Sequence, residues 1–148
     1  MIYVASSWRN PHYEGVLDCL EQWALKYYNW RDEEGFHWSN VMGRTSEDHW
    51  TTPVTPQEYI TAMRHPRAQL GFERDMEHLQ AASAVILLLE CGKSAHLEVG
   101  WAVGAGKPTA LYIKDNLQPE LMYGMLDLIT TDIDQLMSWA ACQERNAA

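Results

Sequence analysis

An α/β layer sandwich around a central parallel sheet is the fold this sequence predicts, and three observations predict it. The run AVILLLE at 84–90 is apolar from end to end over one strand's length, as a strand covered on both faces must be. A second such run, PTALYIK at 108–114, follows after a stretch with helical spacing. A third, IYVASS at 2–7, opens the chain and leads into another helical stretch. Strands that alternate with helices pack in layers, because each crossover helix covers a face of the sheet. At 148 residues the chain is expected to form a single domain, residues 1–148. A domain of that size buries roughly 70% of the surface its unfolded chain exposes.

Taken in order, the strand at 2–7 is followed by YEGVLDCLEQWALKYY (13–28), where Val16, Leu17, Leu20, Trp23, Ala24 and Tyr27 recur at helical spacing. YYNWRD (27–32) offers a second short strand. Residues 33–56 have no clean period and read as a long loop of the kind that closes over a site. Thr55 and Pro56 then start a helix over 55–65 as cap and first helical residue, and a second helix follows from Pro66. After the strand at 84–90 comes a helix with Ser94 as its expected cap, ended by Gly106 and Pro108. After the strand at 108–114, PELMYGMLD and DIDQLMSWAACQER read as closing helices joined by a short connection.

Composition narrows the function. Lys and Arg number 11 against 20 Asp and Glu, a formal charge of -9. Proteins that grip polymeric nucleic acid do so largely by neutralising phosphates, which this balance disfavours. A small anionic ligand in one local pocket remains compatible with it. The three cysteines, Cys19, Cys91 and Cys142, are odd in number and lack CxxC spacing, which reads as reduced thiols in a cytoplasmic protein. The apolar opening is too short for a signal peptide, and no later run approaches a membrane span. The six histidines show neither HExxH nor HxH spacing, so no metal site is expected; no cofactor is expected either.

In open parallel sheets the ligand crevice lies beyond the carboxyl ends of the strands. That singles out SSWRN after the first strand and CGKSAHLE after the run at 84–90. On a helix Glu98 shares its face with Ala95, Trp101, Ala102 and Ala105 and has Leu97 and Val99 as neighbours. Burial would raise the pKa of such an acid, while the helix N-terminus would lower it. Two readings fit: a catalytic carboxylate, or one that satisfies free backbone N–H groups at the helix end. Asp75 in GFERDMEHL sits among Phe72, Met76 and Leu79 at helical spacings, either as a second working acid or as a solvated flank residue. Ser6, Ser7, Trp8 and Arg9 combine hydroxyls, a guanidinium and an indole at a strand exit. Such a turn can hold a phosphate or sugar hydroxyls, or be an ordinary polar loop. Most of the seven tryptophans read as core, while Trp8, Trp38 and Trp50 fall in loops where stacking on a base is conceivable.

Two glycine patterns carry nothing. GAGKPT has Trp101 where the first glycine of a phosphate-binding loop belongs, and it ends a helix rather than beginning one. GWAVGAG does not follow a strand, so it is no dinucleotide fingerprint.

IYVASSWRN, GFERDM, CGKSAHLEVGWAVGAGKPT and PELMY, in that order, resemble the nucleoside 2-deoxyribosyltransferase family, which includes the related 2′-deoxynucleoside 5′-monophosphate N-hydrolases. The resemblance runs from residue 2 to about residue 127, and HLEVGWAVGAGKP is its most specific block. It implies a flavodoxin-like three-layer fold and cleavage of a deoxynucleoside's N-glycosidic bond. By motif position Glu98 matches the nucleophile, Asp75 the second acid and Tyr3 an aromatic near the sugar. Ser7 and Arg9 match the turn that receives a 5′-phosphate in the phosphate-preferring branch. Glu120 falls where the family sends a polar side chain into a neighbouring subunit's site, which implies a homodimer or a higher homo-oligomer. The chain departs from the pattern at Gly92, where the family has an acid or serine at the sugar's 5′ end; Ser94 or Lys93 is a candidate substitute. It departs again at Glu120, a carboxylate that would repel a phosphate.

The expected partner is therefore a small deoxynucleoside or deoxynucleotide, with the 5′ group open between SSWRN on one side and Gly92 and Glu120 on the other. Transfer and hydrolysis are both open. So are cleavage of another ribosyl bond, as in a nicotinamide dinucleotide, and a non-catalytic nucleotide-binding module on the same fold.

Overall fold

The computed structural model describes residues 1–31, 36–43 and 53–147. Its described residues fall into two compact units, one of Met1–Asn29 with His78–Ala148 and one of Trp30–Glu77. The first unit holds a five-stranded sheet, all parallel, made of β1 (Ile2–Ala5), β2 (Tyr27–Tyr28), β3 (Ala84–Leu88), β4 (Thr109–Tyr112) and β5 (Leu128–Thr130). The strand order is β2-β1-β3-β4-β5, the flavodoxin-like order. Its helices are α1 (Tyr13–Gln22), α5 (Lys93–Gly104) and α6 (Ile133–Asn146). Right-handed crossovers place α1, which steps outward to β2, and α5, which steps the other way to β4, on opposite faces.

All five residues of β3 are fully buried at 0% exposure, which accounts for the unbroken apolar run. Burial of each Val, Leu or Ile side chain there is worth roughly 1.5–3 kcal/mol. Ile2 to Ala5 of β1 pair with Ala84 to Leu87, and Val85 to Leu88 pair with Thr109 to Tyr112, so the centre of the sheet is tightly registered. From outside, Leu136, Met137 and Ala140 of α6 are buried completely.

Helix α1 is shorter than its apolar spacing predicts. It stops at Gln22 because Ala24 takes a left-handed conformation, φ 55. The N–H of Ala24 donates to Glu21 O and that of Leu25 to Leu20 O, the paired bonds of a Schellman motif. Trp23, expected in the core, is consequently left 43% exposed. Helix α5 closes in the same way, with Gly106 at φ 70 and Lys107 N–H on Ala102 O, as Gly106 and Pro108 predict. The expected cap at Ser94 is wrong. Gly92, in extended conformation, is the cap residue, and Ser94 lies exposed in the first turn.

Two further corrections concern strands. β2 spans only Tyr27–Tyr28 of the expected 27–32. β5 lies where only a connection is expected, and the expected helix over 119–127 is a 3-10 helix at Leu121–Met125.

The second unit carries α2 (Ser39–Met42), α3 (Pro56–Met63) and, through Glu77, most of α4 (Pro66–Ala81). Thr55 caps α3 as expected, with Glu58 closing a capping box. Phe36 packs against Gly71, where an added Cβ would stand 2.9 Å from the Phe36 Cβ. The short helix α2 interrupts the loop read over 33–56; much of that loop, with Trp50, lies outside the described residues. Among the described residues no helix is long and apolar enough to cross a membrane.

Candidate active site

The sheet reverses its direction of winding between β1 and β3, and the crevice of such a sheet opens beyond their carboxyl ends. Both segments singled out by sequence leave the sheet here. They are sewn together by side chains of the first. Ser6 Oγ donates to the carbonyl of Leu88 at 3.0 Å. Asn10, only 4% exposed, donates through Nδ2 to Leu88 O at 3.3 Å and to Glu90 O at 3.1 Å. Its Oδ1 accepts the N–H of His12 at 2.9 Å, so every face of the amide is used. Ser7 Oγ accepts the N–H of Arg9, which folds the turn back on itself and leaves the Arg9 side chain exposed. Trp8 is half-buried beside it.

Above the β3 exit runs a second tie. His12 Nε2 lies 2.7 Å from Asp115 Oδ2, and so links the loop after β1 to the loop after β4. The segment between them, Glu90, Cys91 and Gly92, is the one that feeds α5.

Helix α5 turns Ala95, Val99 and Ala102 into the core. Glu98 is half-buried, whereas the adjoining Leu97 is 75% exposed. The Glu98 carboxylate stands close enough to Cys91 for its charge to act on the thiol. Burial first, then the charges of Glu90 and Glu98, push the Cys91 thiol up to about 12. Tyr123 on the 3-10 helix is also raised, by burial and then by the negative charges of Cys91, Glu90 and Glu120. Negative charge from Glu90, Glu98 and Glu120 thus reaches Cys91 and Tyr123. Among the described residues no group of His, Cys, Asp or Glu could hold a metal ion.

The other expected residues lie as follows. Tyr3 is buried in the middle of β1 at 2% exposure, and its ring centroid is 5.8 Å from that of Tyr28. Tyr28 in turn stacks on His78 at 3.6 Å. Glu120 is exposed and turned to its own chain, where it accepts the Met122 N–H at 2.9 Å and caps the 3-10 helix. Among the described residues nothing lies within 4 Å of where a Cβ at Gly92 would stand. Asp75 belongs to the second unit, half-buried on α4, with Phe72 61% exposed and Met76 half-buried. In that unit Trp38 packs edge-on to Phe36 at 4.8 Å.

Four residues of the site escape a reading by motif: Asn10, His12, Cys91 and His96. Asn10 is visible only as the last letter of SSWRN. His96 is visible only as the first residue of the HLEVGWAVGAGKP block, with nothing there to mark its role.

No family model and no curated protein matches the chain. Among solved structures it is similar to a 2-deoxyribosyltransferase from the psychrotolerant bacterium Bacillus psychrosaccharolyticus, described as a biocatalyst for nucleoside synthesis. The TM-score is 0.60 at 17% identity, over 92% of this chain and 89% of that one. At that identity the likeness is one of fold, and function has to be argued from the site.

Proposed function

We propose that this chain is an enzyme that cleaves the N-glycosidic bond of a 2′-deoxynucleoside or its 5′-monophosphate, with Glu98 as nucleophile. The observation that carries the reading is the position of Glu98: a half-buried carboxylate on the helix that leaves the central strand, beside the exit where the sheet's winding reverses. The likeness of fold to a deoxyribosyltransferase and the matching order of motifs support it.

In this mechanism a Glu98 oxygen attacks C1′ as the C1′–N bond breaks, and the bonding pair departs with the base. Asp75 delivers a proton to the leaving nitrogen, so the base leaves neutral. The product is a deoxyribosyl ester of Glu98, reached through an oxocarbenium-like transition state. A 2′-deoxy sugar favours that state, since no electron-withdrawing hydroxyl opposes positive charge at C1′. Water or a second base then attacks C1′ and gives its proton to the Asp75 carboxylate, while the ester C1′–O bond breaks and returns the Glu98 carboxylate, which gives hydrolysis or transfer. In this reading Ser6, Ser7, Trp8 and Arg9 bind the sugar or its 5′ group. The reading includes a homo-oligomer in which Glu120 approaches the neighbouring site, a point for sedimentation velocity.

The test is chromatographic. Each deoxynucleoside and deoxynucleoside 5′-monophosphate is incubated with wild type and with Glu98→Ala, with and without a second free base. Release by wild type and a loss of at least about a thousandfold in Glu98→Ala are expected, as for removal of a nucleophile. A new nucleoside formed from the added base marks transfer. Equal release by both proteins, or none from any substrate, sinks the reading.

A further inference from the structure

His96 stands in the first turn of α5, two residues before Glu98, and its ring nitrogens face different partners. Nδ1 lies 2.9 Å from the carbonyl oxygen of Gly92. A carbonyl has no proton to give, so Nδ1 carries the hydrogen and donates it. The Cys91 sulfur, 3.6 Å from the same nitrogen, is a secondary contact of a weak acceptor. In the neutral imidazole Nε2 is then a bare acceptor. Its partner is the Tyr123 hydroxyl at 2.8 Å, which must commit its single proton to the histidine. The two ring planes lie within 20° of each other, which holds the phenol in this setting. What half-buried Tyr123 turns outward is therefore oxygen lone pairs alone.

We infer that Tyr123 is a specificity-determining residue, fixed as a hydrogen-bond acceptor by the Gly92–His96 chain, which selects substrates offering a hydroxyl or amino donor beside Cys91. The inference rests on the glycosidic reading of the site. The surroundings point the same way. Glu90 and Glu98 act on Cys91, and Glu90 and Glu120 act on Tyr123, so this corner presents acceptors and negative charge. A phosphate there would set acceptor against acceptor, whereas an O–H or N–H group completes the array. The donor has two sources, a sugar hydroxyl or an exocyclic amino group of the base.

Matched substrate pairs separate the two: 2′-deoxyadenosine against purine 2′-deoxyriboside, and a deoxynucleoside against its 5′-deoxy and 3′-deoxy counterparts. Tyr123→Phe keeps the ring and removes only the oxygen. It is expected to lower kcat/KM through KM by about three- to tenfold on the member that carries the donor, with no change on the member that lacks it. His96→Leu, which frees the phenol proton, narrows the same preference, while His96→Gln, with one donor and one acceptor, retains it. Long-range proton–nitrogen NMR of wild type, at a pH where the imidazole is neutral, should show Nδ1 protonated and Nε2 bare. An equal loss on every pair, or an Nε2–H tautomer, overturns the inference. If wild type releases no base at all, the glycosidic reading fails, and the same pairs are read by calorimetric binding. Equal affinity of wild type and Tyr123→Phe for every member, or binding of none, then overturns the acceptor role separately.

Discussion

Asn10 shows how much of a site can hang on one amide. It is buried, and it supplies two donors and one acceptor to the backbone of three other residues. Asn10→Ala leaves the Glu90 carbonyl and the His12 N–H unmatched, at a cost of about 1–3 kcal/mol for each group that stays dry. Asn10→Asp is the sharper test. It keeps the acceptor for His12 but sets a carboxylate oxygen against the carbonyls of Leu88 and Glu90. At neutral pH its melting temperature should fall below that of Asn10→Ala. Below about pH 4, where a carboxyl regains its proton and with it a donor, the order should close or reverse. Thermal melts of both variants across that range decide it. An Asp variant as stable as wild type at neutral pH would mean that the amide bonds do not hold the two exits together. None of this is legible in SSWRN, because the partners are carbonyls that any residue supplies.

The elements read differently from the sequence according to how they are buried. β3 and β4 are covered on both faces, so their apolar runs announce them, and Gly106 followed by Pro108 announces the end of α5. β5 carries no such mark. It is three residues long and its central Ile129 is 50% exposed, so it has neither an unbroken run nor enough length to alternate. Helix α1 is overextended because its stop signal is missing: a left-handed Ala24 occupies the place that Gly106 fills in α5. Only backbone geometry reveals that stop. Since the two helices end in the same paired bonds, the glycine of one predicts a gain in the other. Ala24→Gly relieves a left-handed alanine and should raise stability by about 1 kcal/mol, read from the midpoint of urea unfolding at unchanged slope. A lower midpoint would show that the unfolded chain's added freedom outweighs the relieved strain.

At the scale of the molecule, the alternation of runs and helices is enough to place the crevice, because a parallel sheet that winds both ways has one point of reversal. The place of Glu98 is legible on the same ground, as an acid between Leu97 and Val99 on the helix that leaves the central strand. The chemistry packed around it is not, since Cys91, His96 and Tyr123 come together only after β3, α5 and the 3-10 helix have assembled. That assembly has a consequence for the whole fold. The unfolded thiol of Cys91 loses its proton near its ordinary value of 9.0, whereas in the folded protein burial and two carboxylates hold the proton up to about 12. Between these values the unfolded state binds fewer protons than the folded one, so stability must fall as pH rises through that window. Tyr123, raised from 10.0, adds to the fall in the same direction. Below about pH 9 the thiol stays neutral in both states and contributes no slope. Urea midpoints of wild type should decline between pH 9 and 11, and those of Cys91→Ala should decline less over the same interval. The same neutral thiol makes Cys91 a poor nucleophile, so iodoacetamide at pH 8 should modify exposed Cys142 first and leave Cys91 intact in a peptide mass map. Parallel alkaline slopes in wild type and variant, with Cys91 alkylated as fast as Cys142, would mean that Cys91 is neither buried nor close to Glu90 and Glu98, and the placement of Glu98 beside it would fall with that.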